Sequence, residues 1–300
     1  MRTCAQLILL GLCPKLKNHP LCGWIIIILS YFSLSLIEIG EKEEFLMKKT
    51  KEETAVRPLW ILLAGGFVLA VMILYVLRLV AIGEGSRLLP IYSVETEEKK
   101  VALTFNCAWS AENVPTLLET LSEHNAKATF FIVGQWAEEN PSAVKAIADA
   151  GHEIGSHSNT HPDMAKLSKE KIREELSRSK ERIEKAGGGE IKLFRAPSGS
   201  YSNELIETAE EEGYTTIQWD MDSRDWQDKT AEEIIEAMTT GVGKGSILLF
   251  HVGKENTEEA LPYILETLEQ QGYEFVSVSE LIYRENYTLD VAGRQHLLKK

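Results

Sequence analysis

Cysteine is scarce in this sequence of 300 residues, which contains only four. Cys4, Cys13 and Cys22 all precede a long apolar segment, so Cys107 is the only thiol in the remainder of the chain. Because a disulfide needs two cysteines, that remainder has no internal disulfide to stabilise it, even if it is exported. Its stability must come from an apolar core, which a hydrophobic fraction of 44% allows.

Positive charge is also in short supply. The formal net charge is -13, and no basic run follows Arg87. Nucleic acid is therefore excluded as a partner, because a phosphate-binding surface needs a basic stripe. The acidic excess lies mostly on predicted helix faces and indicates solvated surface, as at Glu170, Glu174, Glu175, Glu181 and Glu184. We expect a monomer.

Long apolar runs occur only near the N-terminus. Leu59 to Val80 is long enough to cross a bilayer, and it follows the positive charges of Lys48, Lys49, Lys51 and Arg57. It predicts one transmembrane or signal-anchor helix, with the later residues outside the cytoplasm. Ala81-Ile82-Gly83 is an imperfect cleavage site, so we favour a membrane anchor over a cleaved signal that would release a secreted protein.

The residues before this segment form a doubtful leader. Trp24 to Leu36 is apolar but short, and Met47 opens M-K-K-T-K, a usual start for an exported bacterial protein. Our hypothesis is that 1–46 is an untranslated leader. We interpret 47–82 as the cytoplasmic start plus membrane segment, 83–99 as a linker, 100–283 as the folded domain and 284–300 as a polar tail.

From Lys100 the chain alternates apolar runs with amphipathic ones, which is typical of parallel βαβ units. The predicted strands are Val101 to Phe105, Ala128 to Val133, Glu153 to Ser156, Leu193 to Arg195, Thr215 to Trp219, Ser246 to Phe250 and Glu274 to Val278. The predicted helices are Val114 to Asn125, Pro141 to Ala150, Ser168 to Ala186, Asn203 to Glu212, Ala231 to Thr240 and Thr257 to Gln271. Seven such strands in series favour a barrel over an open sheet.

Unusual polar residues follow the C-terminal ends of these strands, where α/β barrels build their active sites. They are Asn106, Cys107, His157, His161, Arg195, Asp220 to Asp225, and His251. The spacing of His157 and His161 would place both imidazoles on one face of a helical turn, within reach of one metal ion. Imidazole suits zinc, cobalt, nickel or iron. Two solvated histidines beside a loop would give the same spacing.

Several motifs in order resemble the polysaccharide deacetylases, the NodB-homology or carbohydrate esterase 4 group, and most closely its sporulation-associated, PdaB-like branch. The resemblance covers Lys100 to about Tyr283. Its motifs are H-S/T-x-x-H at His157 to His161, R-x-P-x-G at Arg195 to Gly199, D-x-x-D-W at Asp222 to Trp226 and L-x-H at Leu249 to His251. The resemblance implies a distorted (β/α) barrel and a divalent metal, most simply zinc, with cobalt or nickel as substitutes. It also implies removal of acetyl groups from N-acetylated glycans.

The resemblance also implies roles for individual residues. His157 and His161 would hold the metal, and His251 would protonate the departing amine with Asp225 orienting it. Trp226 would form one wall of the pocket, and Tyr201 and Pro197 of the preceding motif would also contact the substrate. The alternatives are that Trp226 is a core residue, that Asp225 is an acidic residue of a surface loop, and that His251 is a structural histidine at a strand end with its hydrogen bonds satisfied.

The first motif departs from the family pattern. The usual T-F-D-D is Thr104-Phe105-Asn106-Cys107 here, so the expected base and acidic ligand are both replaced. Asn106 cannot accept a proton at any useful pH, so water would have to be activated by the metal alone or by another carboxylate such as Asp220 or Asp222, and Arg195 loses its charged partner. Cys107 would complete a Cys-His-His site as a thiolate, or it would be a small buried residue, the commoner fate of a lone cysteine.

Our first hypothesis is a metal-dependent N-deacetylase of peptidoglycan or a related cell-wall glycan, active in sporulation. A rival from another class is a catalytically impaired glycan-binding envelope protein that keeps the fold. The same machinery would also serve an O-acetyl esterase, because an alkoxide leaves more readily than an unprotonated amine.

Overall fold

The structure, a computed structural model, describes residues 65–66, 68–69, 71–73, 75, 87–227 and 229–298. The predicted start at Met47 and the apolar stretch Trp24 to Leu36 lie outside the described residues, as does most of Leu59 to Val80. Within the described part, none of the helices has both the length and the apolarity needed to cross a bilayer. The chain divides into two compact units after Gly85, and the second is described below.

The second unit alternates short strands with helices along most of its length. The strands are β1 (Ser93–Val94), β2 (Lys100–Cys107), β3 (Ala128–Ile132), β4 (Glu153–Ser156), β5 (Leu193–Phe194), β6 (Thr215–Thr216), β7 (Met221–Asp222), β8 (Ile247–His251), β9 (Glu274–Phe275), β10 (Tyr287–Leu289) and β11 (Arg294–Leu297). The helices are α1 (Val114–Glu123), α2 (Gly134–Glu139), α3 (Pro141–Asp149), α4 (Lys169–Lys185), α5 (Asn203–Glu211), α6 (Ala231–Thr239), α7 (Glu255–Gln270) and α8 (Val278–Leu281). Three 3-10 turns cover Met164–Lys166, Pro197–Gly199 and Asp225–Gln227.

The main sheet is parallel and has the order β6-β5-β4-β3-β2-β8-β7, with β9 paired to the start of β2. This confirms the α/β class and the parallel βαβ pattern. The barrel is incomplete, because no ladder joins β6 to β7 among the described residues. The predicted strand Thr215 to Trp219 is shorter in the structure, since the chain leaves β6 at Ile217 and crosses towards β7, where the Asp220 amide donates to Ile247 O.

The two faces of this sheet carry different side chains, because successive residues of a strand point to opposite sides. On the face covered by helices, Phe105 stacks on Phe130 and Phe250 at centroid distances of 5.0 and 5.4 Å. The other face carries a second apolar cluster that includes Ala102 and Phe131. Asn106 and His251 lie side by side in the β2–β8 register, at the C-terminal ends of the central strands.

The structure differs from the predicted division at both ends of the domain. The expected linker 83–99 contains β1, and the expected polar tail 284–300 contains β10 and β11, which together form a three-stranded sheet. β1 pairs with β11 in parallel, and β10 pairs with β11 antiparallel. Gln295 is fully buried there and exchanges two hydrogen bonds with the Tyr283 backbone. Both segments therefore belong to the folded unit.

Candidate active site

The histidine pair lies on a loop directly after β4. The rings of His157 and His161 are 5.0 Å apart between centroids. The expected helical turn is wrong, because Ser158 and His161 have φ angles of 66° and 59°, and the loop is closed by a hydrogen bond of 2.9 Å from His161 N to Ser158 Oγ. Left-handed residues reverse the chain, so the two rings meet without a helix.

Helix α4 holds this loop in place. Glu175 Oε2 accepts hydrogen bonds from the backbone amides of Asn159 and Thr160 at 2.9 Å, and its Oε1 accepts from the Thr160 hydroxyl. Arg182 Nη1 donates to Asn159 Oδ1 at 3.1 Å. The loop conformation is therefore fixed by side chains that lie outside the histidine motif.

The histidines are in the state that binds metals. Burial lowers the pKa of His157 and of His161, so both rings are neutral at pH 7. His157 Nδ1 donates to the carbonyl of Arg195 at 2.8 Å, which leaves Nε2 as the atom with a free lone pair. A backbone carbonyl that receives one ring N–H commonly orients a metal-binding histidine.

Arg195 is fully buried beneath the site. Its Nη1 donates to Thr104 Oγ1 at 2.9 Å and to Asn106 Oδ1 at 3.1 Å, and its Nη2 donates to a backbone carbonyl at 3.0 Å. The guanidinium lies 4.0 Å from the centroid of the Phe131 ring. Burial lowers the pKa of Arg195, but an arginine stays charged in a protein. Its hydrogen bonds therefore go to neutral acceptors, and among the described residues its buried Nε has no hydrogen-bond partner.

Asn106 lies between Arg195 and His251. Because its Oδ1 accepts from Arg195, its amide nitrogen is turned towards His251 Nε2, at 3.5 Å. An amide at this position is too weakly basic to take a proton from water. The position expected for the base is thus occupied by a donor.

His251 and Asp225 form a complete pair. His251 Nδ1 donates to Asp225 Oδ1 at 2.6 Å, while the His251 amide and the Thr257 hydroxyl donate to Oδ2 at 2.8 and 2.6 Å. Burial alone would raise the pKa of Asp225, but the hydrogen bonds from His251 and Thr257 outweigh it and lower that pKa. Asp225 is buried, so the alternative of a surface acid does not hold.

Cys107 lies away from the site, and its inclusion among the metal ligands needs correction. Asn106 shares a face of β2 with Thr104 towards Arg195, so Cys107 points to the opposite face and belongs to the helix-covered core with Phe105. Burial raises the pKa of its thiol, which disfavours the thiolate that binds zinc.

The residues present supply only part of a catalytic metal site. Such a zinc site usually has three protein ligands and one open position. His157 and His161 fit two of them, but within the residues described, no group of three histidine, cysteine or carboxylate side chains is placed to hold one ion. The donor set therefore does not complete a catalytic zinc centre.

The predicted substrate residues differ in exposure. Trp226 is 48% exposed, so it is not a core residue, and it follows Asp225 directly. Tyr201 is half-buried, and its hydroxyl accepts from Arg87 Nη2 at 3.2 Å. Pro197 is buried and begins a 3-10 turn, so it supports this segment and offers little surface to a ligand.

Sequence reasoning missed one aromatic residue at the site. Trp109 packs edge-on against the His251 ring at a centroid distance of 5.0 Å and is 46% exposed. Trp109 lies two residues after the end of β2, at the sheet edge that carries the other polar residues, and this position could have indicated that it belongs to the site.

Comparison with known proteins agrees with this geometry. A family model described as polysaccharide deacetylase matches residues 93–217. A peptidoglycan-N-acetylglucosamine deacetylase from Bacillus cereus is 36% identical over 196 residues, which cover 64% of this chain and 92% of that protein. The protein YlxY from Bacillus subtilis is also 36% identical, over 64% of this chain and 60% of its own length. The chain thus spans less than two thirds of YlxY.

Solved structures include a carbohydrate esterase family 4 pseudoenzyme from Bacillus anthracis. It is 37% identical with a TM-score of 0.63, and the match covers 64% of this chain and 68% of that one. A mutant of that pseudoenzyme with restored enzymatic activity matches at 37% identity with a TM-score of 0.62, over 64% of this chain and 71% of that one.

Proposed function

Because the chain belongs to the polysaccharide deacetylase family, we propose that it binds N-acetylated cell-wall glycan at this site and that its hydrolysis is blocked where water must be activated. The observation that carries the proposal is the placement of Asn106, whose oxygen is taken by Arg195 and whose amide nitrogen faces His251. A general base contributes about 10²- to 10⁴-fold to a hydrolysis rate, so its loss alone makes turnover very slow.

The acid half of the machinery is retained. Asp225 accepts from His251 Nδ1, so Nε2, which lies beside the Asn106 amide, is the ring atom that would carry a proton to a leaving group. Trp226 offers an exposed flat face beside this pair, suited to packing against a sugar ring or an acetyl methyl group. These residues support glycan recognition whether or not a bond is broken.

A second candidate is an active peptidoglycan N-deacetylase that uses zinc, cobalt or nickel. The specific observation in its favour is the intact array of His251, Asp225 and Thr257, which a binding protein does not need. The deacetylase named among the relatives supports it too. In this reading, His157 and His161 hold the metal with help from solvent or substrate oxygens.

We also propose that Leu59 to Val80 attaches the chain to the cell membrane, with the folded unit outside the cytoplasm, and that the protein acts in sporulation. Fractionation of cells before and during sporulation, with protease added to intact protoplasts, tests both statements. Recovery of the full-length protein in a protease-protected soluble fraction would contradict the membrane location.

The function is tested by measuring glycan binding and acetate release together. The full-length chain is incubated with N-acetylchitooligosaccharides and with peptidoglycan, with zinc or cobalt supplied, and compared with Asn106→Asp. We expect binding without acetate release, and acetate release above the unchanged chain in Asn106→Asp, because that change supplies a carboxylate next to Arg195. The recovered activity of the related pseudoenzyme's mutant supports this expectation.

Two results would reject the proposal. Failure to bind any glycan would remove the binding role. Metal-dependent acetate release by the unchanged chain, abolished in His251→Ala, would favour the second candidate. A parallel assay with an acetyl ester identifies an esterase if only the ester is cleaved.

A further inference from the structure

Two exposed tryptophans flank the His251–Asp225 pair. Trp109 contacts the His251 ring, and Trp226 is the next residue after Asp225. Each leaves nearly half of its surface in water. Trp226 matches a motif of the family, whereas Trp109 does not, so its placement at the site has to be explained separately.

Hydrogen bonds and a close backbone approach fix the loop that carries Trp109. Trp136 Nε1 donates to the Trp109 carbonyl at 2.6 Å. Asn113 joins the loop after β2 to the loop after β8, since its Oδ1 accepts from Gly253 N at 2.8 Å and its Nδ2 donates to Lys254 O at 3.2 Å. Gly253 has no room for a side chain, because a Cβ there would lie 2.6 Å from Ser110 O. A prearranged aromatic surface loses little entropy when a ligand binds.

Lys254 adds a positive charge to this surface. Its Nζ lies 4.5 Å from the centroid of the Trp109 ring. Among the residues that the structure describes, no carboxylate is within ion-pairing distance of Lys254, whereas Lys127, Lys145 and Lys229 each pair with one. In a chain with a net charge of -13, an ammonium group without an acidic partner beside the candidate site is available to a ligand anion.

We propose that Trp109 and Lys254 form a recognition surface for glycans whose N-acetylated sugars carry a carboxylate. The sugar ring packs on the indole, and the ammonium group pairs with the carboxylate, as on a muramic acid residue. This inference rests on the proposed glycan binding and adds a preference for acidic over neutral N-acetylated glycans.

The test compares three tetrasaccharides by calorimetric titration of the full-length chain. They are an alternating N-acetylglucosamine and N-acetylmuramic acid tetrasaccharide, the same molecule with its carboxyls amidated, and N-acetylchitotetraose. We expect the acidic tetrasaccharide to bind about threefold more tightly than the amidated one at low salt, which is the effect of one exposed ion pair. High salt should remove this difference.

Variants separate the two residues. Lys254→Gln should abolish the preference and leave chitotetraose affinity unchanged, while the control Lys185→Gln, on the exposed surface of α4, should keep the preference. Trp109→Ala should weaken all three ligands about tenfold, with Trp109→Phe intermediate. Tyr263→Ala removes another exposed aromatic side chain, from α7, and should leave all three affinities unchanged. Thermal unfolding midpoints confirm that the variants are folded.

The outcomes distinguish this inference from the proposed function. If no tetrasaccharide binds, glycan binding itself is wrong, and this inference falls with it. If all three bind equally and Lys254→Gln has no effect, only the carboxylate preference is overturned. If Trp109→Ala is folded and binds normally, the indole is not part of the surface.

Discussion

Asp225 is the residue whose removal should damage the site most. It accepts three hydrogen bonds, from the His251 amide, the His251 ring and the Thr257 hydroxyl, all at 2.6 to 2.8 Å. Hydrogen bonds to a charged group contribute about 1.5 to 3 kcal/mol each, and a buried donor left unpaired costs about 1 to 3 kcal/mol. Because the three share one carboxylate, the losses are not additive.

We expect Asp225→Ala to lower the free energy of unfolding by about 3 to 5 kcal/mol, the range for breaking a buried charged pair. Thr257→Val removes one of the three donors and should cost about 1 to 2 kcal/mol. Asp225→Asn keeps the shape and one acceptor oxygen, so it should fall between them. Urea unfolding at pH 7, followed by tryptophan fluorescence, measures the series.

The stabilisation by Asp225 should weaken at low pH. The pKa of Asp225 lies below its ordinary value of 3.8, so its stabilising contribution is complete above pH 3.8 and is lost as the pH falls through the lower folded value. The difference between the unchanged chain and Asp225→Asn should therefore shrink as the pH falls below 3.8. If Asp225→Ala costs no more than Thr257→Val at pH 7, the carboxylate is not the shared acceptor, and the reasoning fails.

Three further predictions concern the surroundings of the site. Cys107→Ala should leave zinc affinity within about twofold in a chelator competition, because the thiol lies in the core, and a tenfold loss would place it at the metal. Glu175→Ala should lower the free energy of unfolding, measured in urea, by about 1 to 3 kcal/mol, because it leaves the backbone amides of Asn159 and Thr160 without their acceptor. Glu175→Gln should lower it less, and equal stability of the two variants would refute this. Burial lowers the pKa of His152 to about 4, so the free energy of unfolding should be highest above about pH 6.5 and should fall as the pH drops towards 4. The fall should be smaller in His152→Asn, and identical pH profiles of the two chains would contradict this prediction.

The sequence predicted the central sheet well, because its strands are apolar and its helices have clear ends. Glu153–Ser156 is a strand with the predicted bounds, and α1, α3, α5 and α6 begin at their predicted residues. The short α2 and α8 were missed, since helices of six and four residues carry too little periodicity. The same limit hid β1, β10 and β11, which have two to four residues each.

The sequence predicted which residues lie at the candidate site better than it predicted how they are arranged. Strand alternation would have placed Cys107 opposite Asn106 once Asn106 was assigned to the site, so that correction was within reach of the sequence. The left-handed backbone at Ser158 and His161 was not, because neither residue type marks such a conformation as glycine does. The support from Glu175 depends on α4 packing beside the loop, which no local pattern specifies.

The pairing of β1 with β11 has a consequence for how the folded unit tolerates shortening. Residues 93–94 and 294–297 are the first and last strands, and each is the other's neighbour. Deleting β11 removes the strand that pairs with β1 and uncovers Val94, which is buried with Ile91 in the second apolar cluster. A protease cut near residue 290 should therefore loosen the segment around residue 92, and a fragment limited to 100–283 should aggregate where the longer unit stays dispersed.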